Sequence, residues 1–180
     1  MCKYGNEKAV LRISYTNDRE YGDYLAEAEY VDYIYRNGAA VAGIFKSDNG
    51  NLIEIIEHEG QNLYVCLFMY APGKLFADNF YQYRSGVPIS EYFHNCGKTL
   101  GKIHELSKKY TPKQKRYDFF DKYTPDYIDL IIPDCHGALK VRMKELLYEL
   151  SLIPKSNENY GMVHFDMNDG NYHINFDNAT

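Results

Sequence analysis

The chain has 180 residues, of which 45% are hydrophobic and 25% are charged, and its formal net charge is −5. These values are ordinary for a globular protein of one domain or two small lobes. The negative balance gives no electrostatic footprint for nucleic acid. The longest apolar run, residues 64–71, is too short to span a bilayer. We therefore expect neither a nucleic-acid partner nor a membrane partner.

Cysteine spacing and the chain start indicate a reduced compartment. The four cysteines, at positions 2, 66, 96 and 135, have neither CxxC spacing nor the spacing of a metal site. Residues 1–6 lack the apolar core of a signal peptide. We therefore expect a cytoplasmic protein, and the sequence carries no signal for its oligomeric state.

The first 70 residues are predicted to be rich in strands. Residues 7–14 have the composition of a strand. A helix is predicted to begin at the capping residues 16–18 and to end before Asn37-Gly38. Its apolar stripe contains Tyr24, Ala28, Val31, Ile34 and Tyr35.

Three further strands are predicted before the first break in the pattern. Residues 41–45 and 51–57 are predicted to form a hairpin, because an Asn-Gly pair between them is a strong turn signal. Residues 63–69 form an almost wholly apolar strand, compatible with burial on both faces. Ala-Pro-Gly at 71–73 ends this strand.

The remainder is predicted to be helical. Residues 89–110 carry apolar side chains at helical spacing, and residues 138–152 form a second helix that ends near Pro154. Residues 117–133 fit no single element. The order of elements predicts an α+β protein with a strand-rich lobe at 1–70, a hinge at 71–75 and a helix-rich lobe at 76–180. We expect residues 8–14, 41–45, 52–57 and 63–69 to form one antiparallel sheet packed on the helix that carries Glu27. A cleft between two lobes is the usual place for a ligand.

The stretch with the clearest chemistry contains His164, Asp166 and Asn171, in the pattern HxDxxxxN. Phosphoryl transfer needs a carboxylate that orients the acceptor hydroxyl and takes its proton, and an oxygen ligand for Mg²⁺ nearby. Asp166 and Asn171 lie on either side of a tight turn and could supply both. His164 is better suited to holding the loop by hydrogen bonds. The alternative interpretation is a solvated turn with incidental polar residues.

This loop resembles the catalytic loop of the aminoglycoside phosphotransferase and choline kinase superfamily, usually written HGDLHPGN. It is most similar to the bacterial phosphotransferases that include the stress-response kinases. Three other segments agree in order and spacing. Residues 10–14 resemble the strand with the phosphate-contacting cation, residues 25–31 the helix with its glutamate partner, and residues 100–106 the long helix of the second lobe.

The resemblance implies a protein-kinase-like two-lobed fold with ATP and Mg²⁺ as cofactors. It implies transfer of the γ-phosphate to a hydroxyl of a small molecule, or of a protein Ser/Thr as the less favoured acceptor. Asp166 would be the base and Asn171 a Mg²⁺ ligand, with His164 beside them in the catalytic loop.

The nucleotide would be held by the first lobe. Arg12 would contact phosphate, and Glu27 would anchor the Arg12 side chain. A carboxylate on the apolar side of a helix needs such a cationic partner. A plain structural ion pair is the alternative. Met69 and Ala71 would offer backbone groups to adenine, with Phe68 behind the ring. The alternative is an ordinary strand that ends at a Pro-Gly turn.

Two departures from the family pattern indicate missing ends. Nothing before Lys8 is long enough to supply the phosphate-covering loop, and Asp177 comes too soon after Asn171 to be the second metal ligand of the family. We place residues 172–175 in a strand and Asp177 in the following turn. The chief alternative is therefore a non-catalytic kinase-like nucleotide-binding module. A His/Asp metallohydrolase is disfavoured because no second pair of metal ligands is found.

Overall fold

The computed structural model describes residues 1–15 and 19–176 of the chain. The chain forms two compact units, one of Met1–Gln114 with Gly161–Thr180 and one of Lys115–Tyr160. No helix in the described residues is long and apolar enough to cross a membrane. The main elements of the first unit are β1 (Cys2–Tyr4), β2 (Glu7–Tyr15), α1 (Tyr21–Arg36), β3 (Ile44–Phe45), β4 (Glu54–His58), β5 (Gln61–Met69) and α2 (Ile89–Ser107).

The described strands of the first unit form one antiparallel sheet. Its order is β1-β2-β5-β3, and β4 also pairs with β5. The β2–β5 ladder runs from Ala9 opposite Met69 to Tyr15 opposite Leu63. The prediction of one antiparallel sheet from these segments is confirmed.

The predicted hairpin between residues 41–45 and 51–57 is wrong. Ile44–Phe45 and Glu54–His58 do not pair with each other, since both pair with β5. Phe45 lies opposite Leu67 and Glu54 opposite Val65, so the two strands follow one another along β5. The Asn-Gly pair does form a turn, but that turn lies in the loop between β3 and β4. These two strands pair one after the other with the same edge of β5.

The hairpins in the sheet have two-residue turns that contain glycine. β4 and β5 close between His58 and Gln61, and the two turn residues, Glu59 and Gly60, have φ of 51° and 73°. Positive φ at both positions is the requirement of a type I′ hairpin turn. β1 and β2 likewise close across the Gly-Asn pair at 5–6, and β1 was absent from the sequence prediction. A Gly-Asn pair is itself a hairpin signal.

Helix α1 packs against the sheet through a first buried cluster. Tyr24 and Ala28 of the helix lie with Ile44, Ile53 and Cys66 from the sheet and its flank. Side chains four apart on a helix share one face, which explains why this pair meets the sheet. The prediction that the helix with Glu27 packs on the sheet is confirmed.

A second cluster lies on another side of α1. Tyr30 and Ile34 pack there against Ile103 and Leu106 of α2. The predicted stripe included Tyr35, which is 40% exposed, and missed Tyr30, which is 6% exposed. The helix is therefore buried on two sides, and a single stripe does not describe it.

The second unit contains three α-helices and one short 3-10 helix, Asp134–His136, within its described residues. The α-helices are α3 (Phe119–Lys122), α4 (Pro125–Ile131) and α5 (Gly137–Ser151). α5 confirms the helix predicted at 138–152, while 117–133 contains the two short helices that no single pattern predicted. Asp118 and Thr124 cap them by accepting from backbone amides.

Ile103 lies in the buried contact between α1 and α2. We predict that Ile103→Ala lowers the free energy of unfolding by about 2–5 kcal/mol, because Ile103 is 2% exposed and truncation leaves a cavity. Ile89→Ala, in the same helix but 49% exposed, is the matched control and should cost about 0.5 kcal/mol or less. Urea unfolding of both variants measures the difference, and equal losses would contradict this assignment of the core.

Candidate active site

Arg12 and Glu27 form the ion pair that the sequence predicted. Arg12 lies opposite Cys66 in the β2–β5 ladder, so its side chain is on the face of the sheet that carries α1. Its Nη1 is 2.5 Å from Glu27 Oε1. The guanidinium carbon lies 4.9 Å from the centroid of the Phe68 ring. Arg12, Glu27 and Phe68 are thus brought together at one end of the helix–sheet contact.

A second arginine reaches the same carboxylate. Arg19 Nη1 lies 3.2 Å from Glu27 Oε2, while Arg12 holds the other oxygen. The Nη2 atom of Arg12 is buried and has no hydrogen-bond partner among the described residues. Sequence reasoning missed Arg19, and no periodic signal could have found it because the residue precedes the helix.

The buried neighbour of this cluster is a thiol. Cys66 is 3% exposed, and burial raises the pKa of its thiol to about 11. The Arg12 charge opposes this shift and the Glu27 charge adds to it. The side chain is therefore a protonated core residue.

The predicted adenine hinge begins at Met69, the last residue of β5. The Met69 amide donates to the Gly43 carbonyl at 2.8 Å, and the Tyr70 amide donates to the Lys8 carbonyl at 3.2 Å. Within the described residues, no hydrogen bond outside the strand ladders is found for the Met69 carbonyl or for the Ala71 amide. These two groups remain available to a ligand.

The hinge is bonded to the segment that follows the catalytic loop. His173 Nδ1 donates to the Ala71 carbonyl at 2.8 Å. Lys74 and Ile174 form an isolated antiparallel bridge with amide–carbonyl distances of 3.1 and 2.8 Å. Gly73 makes this approach possible, because its φ is +92° and an added Cβ would lie 2.3 Å from the Ile174 carbonyl oxygen.

The predicted catalytic loop is held by its own asparagines. Asn168 Nδ2 donates to Asp166 Oδ1 at 2.6 Å, and Asn171 Nδ2 donates to Asp166 Oδ2 at 2.9 Å. Asn171 Nδ2 also lies 2.8 Å from the backbone carbonyl of Asp166. Asp166 and Asn171 are therefore in direct contact, and the carboxylate faces solvent with both oxygens hydrogen-bonded.

A pair of tyrosines attaches this loop to α2. The hydroxyl of Tyr172 is hydrogen-bonded to that of Tyr92, and Cys96 Sγ donates to Tyr172 at 3.6 Å. Burial is the main reason that the pKa of each phenol is raised, so both are protonated at neutral pH. The tyrosine pair fixes the chain immediately after Asn171.

The remaining predictions concern His164, Asp177 and a metal site. His164 is exposed, and no hydrogen bond to it is found in the described part of the chain. The bonds that hold the loop come from Asn168 and Asn171, so the loop-holding role of His164 stays a prediction. Asp177 lies outside the described residues. Within those residues, no group of three or more His, Cys, Asp or Glu side chains could hold a metal ion.

Comparison with known proteins identifies the family of this chain. Residues 2–179 match the profile of APH, the phosphotransferase enzyme family. The chain belongs to this family. Amicoumacin kinase of Bacillus subtilis (strain 168) is 26% identical over 175 residues, which are 95% of this chain and 50% of that protein. The chain thus spans about half the length of this curated relative.

Solved structures of two phosphotransferases share the fold. Amicoumacin kinase hAmiN, in complex with AMP-PNP, Ca²⁺ and Ami, has a TM-score of 0.79 and 24% identity over 94% of this chain and 49% of that chain. A microcompartment-associated aminopropanol kinase has a TM-score of 0.70 and 16% identity over 94% of this chain and 54% of that chain. The predicted α+β kinase-like fold is confirmed by these similarities.

The contact at Gly73 gives a prediction with an internal control. Gly73→Ala should lower the free energy of unfolding by about 2 kcal/mol or more, because it adds a clash with Ile174 to the strain of positive φ. Gly50→Ala, also at positive φ (+84°) but with open space around the added Cβ, should cost only about 1 kcal/mol. Thermal unfolding gives both values. Equal losses would mean that the hinge contact contributes nothing.

The Cys66 thiol gives a pH dependence of stability. Its pKa is higher in the folded state than the unfolded value of about 8.5, so its contribution is full below that value and is lost as pH rises toward 11. We predict that unfolding free energy falls less steeply over this range in Cys66→Ala than in the wild type. The exposed Cys135→Ala variant should keep the wild-type slope. Urea titrations at pH 8 and pH 11 make the comparison.

Proposed function

We propose that this chain carries the nucleotide site and the catalytic loop of an ATP-dependent phosphotransferase. The reaction is transfer of the γ-phosphate of ATP to a hydroxyl of a small molecule. The observation that carries the proposal is the Asp166–Asn171 loop, which is bonded to the hinge through His173 and Ala71. A base and a nucleotide-binding edge are thereby joined in one unit of the chain.

Asp166 takes the role of the base. An ionised carboxylate has about four lone-pair positions, and two asparagine amides occupy two of them. The remaining positions can accept the proton of an acceptor hydroxyl within hydrogen-bond reach. The same amides fix the rotamer of Asp166, so the carboxylate needs little ordering when the substrate arrives.

Asn171 is suited to an oxygen-preferring cation. Its Nδ2 is used twice within the loop, and its Oδ1 has no partner among the described residues. A carbonyl oxygen next to a carboxylate fits the oxygen-ligand preference of Mg²⁺. Bound Mg²⁺ would neutralise charge on the phosphates of ATP.

The nucleotide is placed on the sheet. Adenine presents a donor and an acceptor on one edge, and these match the Met69 carbonyl and the Ala71 amide. Phe68 lies behind this edge. Arg12, anchored by Glu27 at 2.5 Å, supplies a guanidinium for phosphate, for which a planar fork of donors is well suited.

The relatives support a small acceptor. Amicoumacin kinase and aminopropanol kinase are named for small molecules, and this supports a small-molecule hydroxyl as the acceptor here. Because the chain spans about half of these relatives, the activity and acceptor of the whole protein are part of the proposal.

Substitutions in the loop test the assignment. Asp166→Asn keeps the shape of the side chain but removes the proton acceptor, so turnover should fall about 100-fold or more with ATP affinity largely kept. Asn171→Ala removes the metal ligand, and added Mg²⁺ should partly restore its turnover. Asp48→Asn, an exposed carboxylate in the β3–β4 loop, is the control. Transfer of labelled phosphate from ATP to a panel of hydroxyl-bearing small molecules, with calorimetry for ATP, gives both quantities.

The two measurements separate the competing functions. ATP binding without transfer in the wild type would favour the non-catalytic nucleotide-binding module. Turnover that survives Asp166→Asn would contradict the role of Asp166 as the base. Absence of ATP binding would contradict the nucleotide site itself.

A further inference from the structure

The carboxylate of Glu27 is shared by two guanidinium groups. Arg12 and Arg19 contact different oxygens, at 2.5 and 3.2 Å, and Glu27 is 20% exposed at its side chain. No other carboxylate in the described residues pairs with either arginine. Among the residues that the structure describes, two positive charges therefore face one negative charge.

The two arginines are held against aromatic rings. Both guanidinium carbons lie 5.9 Å from the centroid of Tyr24, and that of Arg12 also lies close to Phe68. Cation–π contacts of this kind favour a guanidinium that stays in place. The Arg12 guanidinium thus lies at the helix–sheet contact, and Arg19, whose side chain is 46% exposed, lies beside the same ring.

One nitrogen of the cluster has no acceptor. Arg12 Nη2 is buried and makes no hydrogen bond among the described residues. A buried donor without a partner is costly, and a charged donor more so. Two positive charges beside one carboxylate, together with an unfilled donor, form the arrangement that an anion would complete.

A phosphate group bound to Arg12 also changes the electrostatic environment of the Glu27 carboxylate. The negative ligand competes with Glu27 for the positive charge of Arg12. The Glu27 carboxylate is mostly buried, and a buried carboxylate without a counter-ion is destabilising. Arg19 already contacts the other oxygen of Glu27, so the carboxylate keeps a counter-ion. A cluster with one arginine would have to divide its only positive charge between Glu27 and the phosphate.

We propose that Arg19 is a positioning residue for nucleotide binding. It holds Glu27 so that Arg12 is free to bind a phosphate of the nucleotide, and the three side chains together form a polyphosphate subsite. This inference rests on the proposed nucleotide site. It assigns Arg19 a role that acts through Glu27 and not through direct contact with the ligand.

The test compares affinity for ATP with affinity for adenosine, which lacks the phosphates, by calorimetry or NMR titration of the chain. Arg19→Gln should weaken ATP binding about fivefold and leave adenosine binding within about twofold of wild type. Arg19→Lys keeps the charge and should recover most of the loss. Arg36→Gln is the matched control, because it removes an arginine from a single ion pair with Asp32 on the same helix, and it should change neither affinity.

A double-mutant cycle with Glu27→Gln decides whether Arg19 acts through Glu27. In the Glu27→Gln background, Arg19→Gln should have no further effect on ATP affinity. A loss of the same size in that background would mean direct phosphate contact and would overturn the proposal. An unchanged ATP affinity in Arg19→Gln, with a loss in Arg12→Gln, would overturn it while leaving the proposed function intact. If Arg12→Gln also left ATP affinity unchanged, the phosphate site of the proposed function would itself be wrong, and the role of Arg19 with it.

Discussion

The hydrogen bond from His173 to the Ala71 carbonyl joins segments that lie 102 residues apart in the chain. Together with the Lys74–Ile174 bridge, it fixes the end of β5 against the segment that leaves the catalytic loop. Closing so long a loop has an entropic cost that these few bonds must offset with the packing around them. The proposed site depends on this closure, because the adenine edge and the proposed base belong to the two joined segments.

The position of the proposed phosphate contact, Arg12, depends on the packing of α1. α1 is buried against both the sheet and α2, so its orientation is determined on two sides. Glu27 is carried into this contact, where a carboxylate without a counter-ion would be destabilising. Arg12 and Arg19 meet that need, and the packing of the helix therefore determines where the positive charge of the site lies. Stability and the proposed ligand site therefore depend on the same helix.

The catalytic loop combines local order with exposure. Its hydrogen bonds join residues two and five positions apart, so the loop can form its geometry with little help from the rest of the protein. The carboxylate of Asp166 stays exposed to solvent. The Tyr92–Tyr172 contact then attaches this self-contained loop to α2. Such a division lets the loop stay accessible to an acceptor while the proposed base remains fixed.

Features that depend on neighbours in sequence were determined by the sequence itself. The HxDxxxxN loop, the helix end before Asn37-Gly38 and the strand at β5 were all predictable, because turn preferences, caps and apolar periodicity act over a few residues. Tertiary structure decided which partners these segments take. β3 and β4 pair with β5 and not with each other, and Arg19 joins the Arg12–Glu27 pair. Such choices depend on the apolar area that the whole chain can bury and on which charges that burial brings together, and no short stretch of sequence contains this information.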